Sequence, residues 1–84
     1  MYKLAEGVVL EDADGTSVFL MDGGDAAVLD PVGRAVVKGL LGGDVDSCTA
    51  RITRDYDVSE ERARRDISDF TKQLLDLGLI EDKQ

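Results

Sequence analysis

Ser47 and Cys48, adjacent in the stretch GGDVDSCTA (Gly42 to Ala50), are the side chains of this 84-residue chain that most invite a chemical reading. A Ser preceded by Asp is where acyl and peptidyl carrier proteins bear a phosphopantetheine arm, and a small acidic chain suits that role. A hydroxyl or thiol can also act as a nucleophile, but it needs a base to activate it. The chain has no His and a single Cys. Those counts exclude a His-dependent triad, a metal site built from His/Cys clusters and an internal disulfide. The carrier motif runs Asp-Ser-Leu, whereas here Cys48 follows Ser47. The structural alternative is a helix start: Asp44 or Asp46 caps, Ser47 lies in the first turn, and Cys48 is a small buried hydrophobe. The surrounding elements decide between these readings.

Those elements begin with strands. GVVLED and TSVFLMD are short β-rich runs separated by ADG, a turn signal, and AAVLD follows after DGGD. In the second run Val18 and Leu20 point one way while Phe19 and Met21 point the other. Both faces are apolar, so this strand is expected at the centre of the sheet and covered on both sides. Three short strands need helices to cover them. The pattern supplies three. DPVGRAVVKGLLGG places Asp30 at an N-cap and Pro31 at the first helical position. Val32, Val36 and Leu40 follow at helical spacing, with Val37 and Leu41 beside them, and Gly39 weakens the element by about 1 kcal/mol relative to Ala. A second helix is expected over about 44–55, with Val45, Cys48 and Ile52 inside and Arg51 and Arg54 exposed. The third opens at Ser59, and Ala63, Ile67, Phe70, Leu74 and Leu77 recur at four, three, four, three. Its charges pair four apart, as in Glu60–Arg64 and Arg62–Asp66. Gly78 stops it, Leu79 and Ile80 return to the core, and EDKQ reads as a polar tail. A carrier protein is a helix bundle, so three strands ahead of Ser47 count against that reading.

Composition narrows the function further. The length fits one domain over 1–84, with a small core built mostly from Val, Leu, Ile and Ala, because aromatics are 5% of the residues. The start of the chain lacks a signal-peptide pattern, and no apolar run approaches the ~20 residues that span a bilayer. A cytoplasmic protein without membrane contact is expected. The net charge is −8, and residues 1–30 concentrate it, with Lys3 alone against Glu6, Glu11, Asp12, Asp14, Asp22, Asp25 and Asp30. Such a surface repels nucleic-acid backbones and attracts basic partners.

With the order β-β-β-α-α-α on the page, the sequence resembles PqqD-like domains, the recognition elements of ribosomally synthesised peptide pathways. VLDPVGRAVVKGLLGG is similar to the family's Leu-Asn/Asp-Pro-x-Gly start of its first helix, and RDYDVSEERARRDISDFTKQLLDLGLI to its ending, so the match covers about 7–80. The pattern is mostly structural and contains no catalytic signature. As a short free-standing chain it looks most like the leader-binding proteins of lasso-peptide pathways. The resemblance implies an α+β winged helix-turn-helix fold, a three-stranded antiparallel sheet followed by three helices. It implies no enzyme activity and no cofactor. It further implies binding of a precursor's leader peptide, of basic character, and delivery of that peptide to a leader peptidase and a macrocyclase.

In that family the leader adds a strand to the edge of the third strand, beside the third helix. Here the resemblance maps this edge onto Asp25, Ala26, Ala27, Val28, Leu29 and Asp30, and the helix face onto Asp66, Asp69, Phe70 and Gln73. Strand addition draws affinity from main-chain hydrogen bonds and specificity from side-chain pockets. Ala26 and Ala27 depart from the aromatics the family more often has there, which leaves room for a bulky leader side chain. On periodicity alone Phe70 is core, and Asp66, Asp69 and Gln73 form a solvated face. DNA binding is the other reading that a winged helix allows, through Arg51, Arg54, Arg62, Arg64 and Arg65. The net charge and the acids interleaved on the third helix weigh against it.

Overall fold

The computed structural model describes residues 1–13 and 16–82; the turn expected at Asp14-Gly15 and the end of the expected tail, Lys83-Gln84, lie outside them. The order is β1 (Tyr2–Leu4), β2 (Val9–Ala13), β3 (Thr16–Leu20), β4 (Ala26–Leu29), α1 (Pro31–Leu40), α2 (Val45–Asp55), α3 (Glu60–Asp76) and β5 (Ile80–Asp82). The expected α+β architecture is present. β2, β3 and β4 form an antiparallel sheet in that order, three helices follow, and the arrangement fits the winged helix-turn-helix plan. The strand expected third, over 25–30, is β4, one residue shorter at each end. β1 and β5 were not expected. They pair antiparallel, with Leu4 opposite Ile80 and Lys3 opposite Glu81, so half of the supposed tail is strand. Three residues are too few for period-two alternation to stand out in a sequence.

Each helix starts on a side-chain cap. Asp30 Oδ1 accepts from the Gly33 N–H at 2.6 Å, with Pro31 at the first helical position. Ser59 Oγ accepts from the Arg62 N–H at 3.3 Å. At the end of α3 the Leu79 N–H reaches the Leu74 carbonyl and the Gly78 N–H reaches that of Leu75, with Gly78 at φ 73°. This pattern satisfies the last carbonyls of the helix.

The core joins Phe19 of the sheet to Val36, Val37 and Leu40 of α1, Cys48 and Ile52 of α2, Ala63, Ile67 and Leu74 of α3, and then Leu79 and Ile80. Three expectations change. β3 is central, but only its Ser17/Phe19 face is buried; Leu20 is 38% exposed, so the sheet is covered on one side. Val32 is half-exposed and outside the core. Leu77 is 69% exposed because α3 has already ended, while Thr71 is buried in its place. Thr71 is tolerated there because its hydroxyl donates to the Ile67 carbonyl at 2.7 Å.

Gly39 has a packing reason. A Cβ at that position would lie 3.0 Å from Cys48 Sγ and 3.3 Å from its Cβ, so α1 and α2 approach closely there. The usual helix gain of about 1 kcal/mol from Gly to Ala is therefore outweighed by overpacking of about 1–3 kcal/mol. Gly39→Ala should lower the urea midpoint, where propensity alone would raise it.

The sheet is tied to α1 by one carboxylate. Asp12 Oδ1 accepts from the buried Ser17 hydroxyl, and its Oδ2 accepts from Lys38 Nζ at 2.9 Å and Arg34 Nη2 at 3.0 Å. The Ser17 hydrogen bond first, then the two cations, hold the Asp12 carboxyl down at about 2. A carboxyl depressed on folding stabilises the fold above its unfolded value, and that contribution is lost as pH falls through the folded one. The wild-type urea midpoint should accordingly drop between pH 4 and pH 2, and Asp12→Asn should flatten that part of the profile.

Candidate functional site

Ser47 is occupied with structure. Its N–H donates to Asp44 Oδ1 at 2.8 Å, and its Oγ accepts from the Asp44 N–H at 3.1 Å. Together these form a capping box at the start of α2. The backbone N–H and then the hydroxyl of Ser47 hold the Asp44 carboxyl below its ordinary range. Asp46 instead reaches across to Arg64 of α3. Cys48 is fully buried, and burial pushes its thiol up, away from a reactive thiolate. The stretch that opened the chemical question is a helix start with a core residue behind it.

The open surface lies instead along β4. Among the described residues this strand pairs only with β3, so its other edge is free of them. The hydrogen-bonding parity of that edge follows from the hairpin. The Met21 N–H donates to the Asp25 carbonyl at 2.9 Å, which makes Met21–Asp25 a hydrogen-bonded pair. Counting along the register, Phe19–Ala27 and Ser17–Leu29 are bonded pairs, while Leu20–Ala26 and Val18–Val28 are not. The N–H and C=O groups of Ala26 and Val28 therefore point to the free edge. Ala27 and Leu29 turn inward and pack at the margin of the core. Asp25 lies in the hairpin turn, and Asp30 is engaged at its Oδ1 as the cap of α1. Of the six positions expected to form this edge, Ala26 and Val28 present its open backbone groups.

Where β4 ends, a hollow of roughly 520 Å³ opens between α1, the α2–α3 connection and α3. Val36, Ile52, Ala63 and Ile67 form its floor, and Val32, Tyr56, Val58 and Phe70 its walls. Asp30, Asp57 and Asp66 stand at it against Arg62 alone, which lies 3.7 Å from Asp66. A Cβ at the motif glycine Gly33 would press on the capping Asp30 Oδ1 at 3.0 Å and would lie in ordinary contact with Leu29 at 3.5 Å and Phe70 at 3.8 Å. Leu29, Gly33 and Phe70 thus join the strand edge to the hollow. Of the helix-face residues that the resemblance maps, Asp66 and Phe70 line it, whereas Asp69 and Gln73 are exposed on α3 outside its lining. Val32, Tyr56, Asp57 and Val58 were not anticipated. The available signal was Tyr56, one of four aromatic residues, set in a short interhelical connection.

The arginines are largely committed. Arg64 pairs with Asp46 and Glu60, Arg62 with Asp66, and Arg54 with Asp55. A phosphate-binding surface would leave such side chains unpaired.

Comparison with known proteins matches the same frame. The family model for coenzyme PQQ synthesis protein D (PqqD) matches residues 7–80. No curated protein matches the chain. Among solved structures, the chain is similar to TbiB1 in complex with the TbiA(beta) leader peptide, at 28% identity and a TM-score of 0.86, over 98% of each chain. It is also similar to lasso peptide synthetase B1 complexed with the leader peptide, at 23% identity and a TM-score of 0.88, over 96% of this chain and 98% of that one. The second likeness speaks to the fold.

Proposed function

The chain belongs to the PqqD family, and on that footing we propose that it is a non-catalytic cytoplasmic module that binds the leader of a ribosomally synthesised precursor peptide. The bound leader is delivered to processing enzymes, a leader peptidase and a macrocyclase. The observation that carries the reading is the free edge of β4 running directly into an apolar hollow with carboxylates at its mouth. An extended peptide gains main-chain hydrogen bonds at Ala26 and Val28, and a bulky side chain further along it gains the hollow. TbiB1, the relative at 28% identity, was solved with a leader peptide bound, which supports the same class of ligand here. Asp57 and Asp66, with Asp69 further along α3, favour a basic leader and steer its approach, and the Gln73 amide adds a neutral hydrogen-bonding group there.

The test is an amide NMR titration of labelled protein with synthetic leader, paired with fluorescence anisotropy for affinity. Shifts should concentrate at Ala26–Leu29 and along α3 from Asp66 to Gln73, with micromolar or tighter affinity. Raising salt from about 0.05 to about 0.5 M should weaken a basic leader, because most of the steering charges are exposed. Shifts confined to Arg51 and Arg54 would place the peptide elsewhere and end the strand-addition reading. Salt-independent affinity would remove the steering role.

A further inference from the structure

Acids outnumber bases 18 to 10 in this chain, yet one corner of the surface reverses the balance. Where α1 gives way to α2, a depression of roughly 610 Å³ carries Lys38 on the α1 side and Arg51 and Arg54 on the α2 side, and no acidic residue lines it. Its floor is small, with Gly39, Gly42 and Ala50, and a Cβ at Gly42 would meet nothing within 4 Å. The chain itself only partly neutralises these cations. Asp12 accepts from Lys38 and Arg34 together, so one carboxylate is set against two cations. Arg54 reaches its neighbour Asp55 at 3.2 Å with its side chain still 71% exposed. Arg51 forms no ion pair among the described residues. Such exposed pairs are weak and are readily exchanged for a better partner.

We infer that this corner docks a carboxylate-rich segment of a second protein, the macrocyclase that takes up the peptide whose leader is held along β4. Which protein it is rests on the leader-binding reading; where it docks rests on the charge pattern alone. Charge selects the occupant. A net charge of −8 repels a nucleic-acid backbone at long range, whereas a protein segment brings a few carboxylates to three cations and need carry little charge elsewhere. A second copy seated here by its acidic N-terminal third would make a head-to-tail contact that continues from copy to copy. Position selects the enzyme. The corner is lined by no residue of β4 and shares none with the hollow. A peptidase has to close on the leader itself. A protein seated in the corner touches this chain and not the leader, which suits an enzyme working on the peptide beyond the leader. Its affinity is therefore the same with and without leader.

The test uses Arg51→Ala/Arg54→Ala, both positions exposed and outside the core and the leader site. Ala50→Glu is the second variant; it adds a carboxylate to the floor and costs little helix propensity. The probe is the macrocyclase of the pathway, with association and dissociation followed by surface plasmon resonance at about 0.05 and about 0.5 M salt. Both variants should keep the wild-type NMR dispersion and leader affinity. Each should slow macrocyclase association about tenfold at the lower salt and far less at the higher, because opposed charges set the encounter rate. Unchanged macrocyclase binding in the folded variants would overturn the inference. So would loss of peptidase binding in its place, a duplex DNA that binds wild type but not the variants, or self-association in sedimentation that the variants abolish. If the leader fails to bind wild type while the variants still lose the macrocyclase, the functional reading falls and the corner stands.

Discussion

Phe19→Ala should cost about 3–5 kcal/mol, the range for removing a fully buried aromatic side chain. Phe19 is wholly buried on the inner face of β3, flanked in register by Leu10 and Ala27. It is the sheet's one fully buried large side chain among the described residues, so its loss uncouples the sheet from α1 as well as opening a cavity. By general scaling a chain of 84 residues is marginally stable, by about 4–13 kcal/mol, and the variant would lose a large part of it. The neighbouring Leu20→Ala is the control, because Leu20 faces out and should shift the urea midpoint only slightly. Comparable losses in the two variants would mean that the sheet faces are assigned the wrong way round. Leader affinity should fall with Phe19→Ala as well, indirectly, since Ala27 loses the neighbour that holds β4 in place.

That pair of neighbours also shows what the sequence could carry. The run TSVFLMD is apolar at both parities, so alternation gave no way to tell a strand covered on two faces from one covered on a single face. The helices were far more legible. Asp30-Pro31, Asp44 and Ser59 each announce a start through one capping side chain, and the 3.6 period of α3 continues for four turns. The same period misled at its end, where Leu77 continues the stripe in sequence after the helix has stopped at Asp76. β1 and β5 escaped notice because each draws its stability from the other, 76 residues away at Leu4 and Ile80, rather than from any local pattern.

The site divides in the same manner. The edge strand was readable as a strand from its run of small and branched residues before a helix cap, while its use as a peptide edge, and the place of Phe70 beside it, came only as what the resemblance implies. The hollow was not readable, since it forms from the mouth of α1, the α2–α3 connection and α3, which only the fold brings together. Gly33 illustrates the limit. Its position after Asp30-Pro31 marks a helix start, but only the fold shows that a Cβ there would press on the capping Asp30 carboxylate at the corner where Leu29 and Phe70 meet.

Val28→Pro should weaken leader binding at least about 30-fold while leaving the fold intact. The Val28 N–H points to the free edge, so proline removes no bond to β3, and edge strands tolerate proline in that orientation. Ala27 ahead of it is already extended, as a residue before proline must be. The incoming leader loses a donor, is left with an unpaired carbonyl and meets the ring. Together these amount to roughly 2–3 kcal/mol, with each 1.4 kcal/mol a factor of ten. Ala27→Pro is the contrasting variant: its N–H belongs to the pair with Phe19, so it should break the ladder and destabilise the protein itself. Val28→Thr keeps the N–H and the branched side chain and should bind nearly as wild type. Unchanged leader affinity in a folded Val28→Pro protein would show that the peptide does not add to this strand, and the hollow beside α3 would then have to hold it alone.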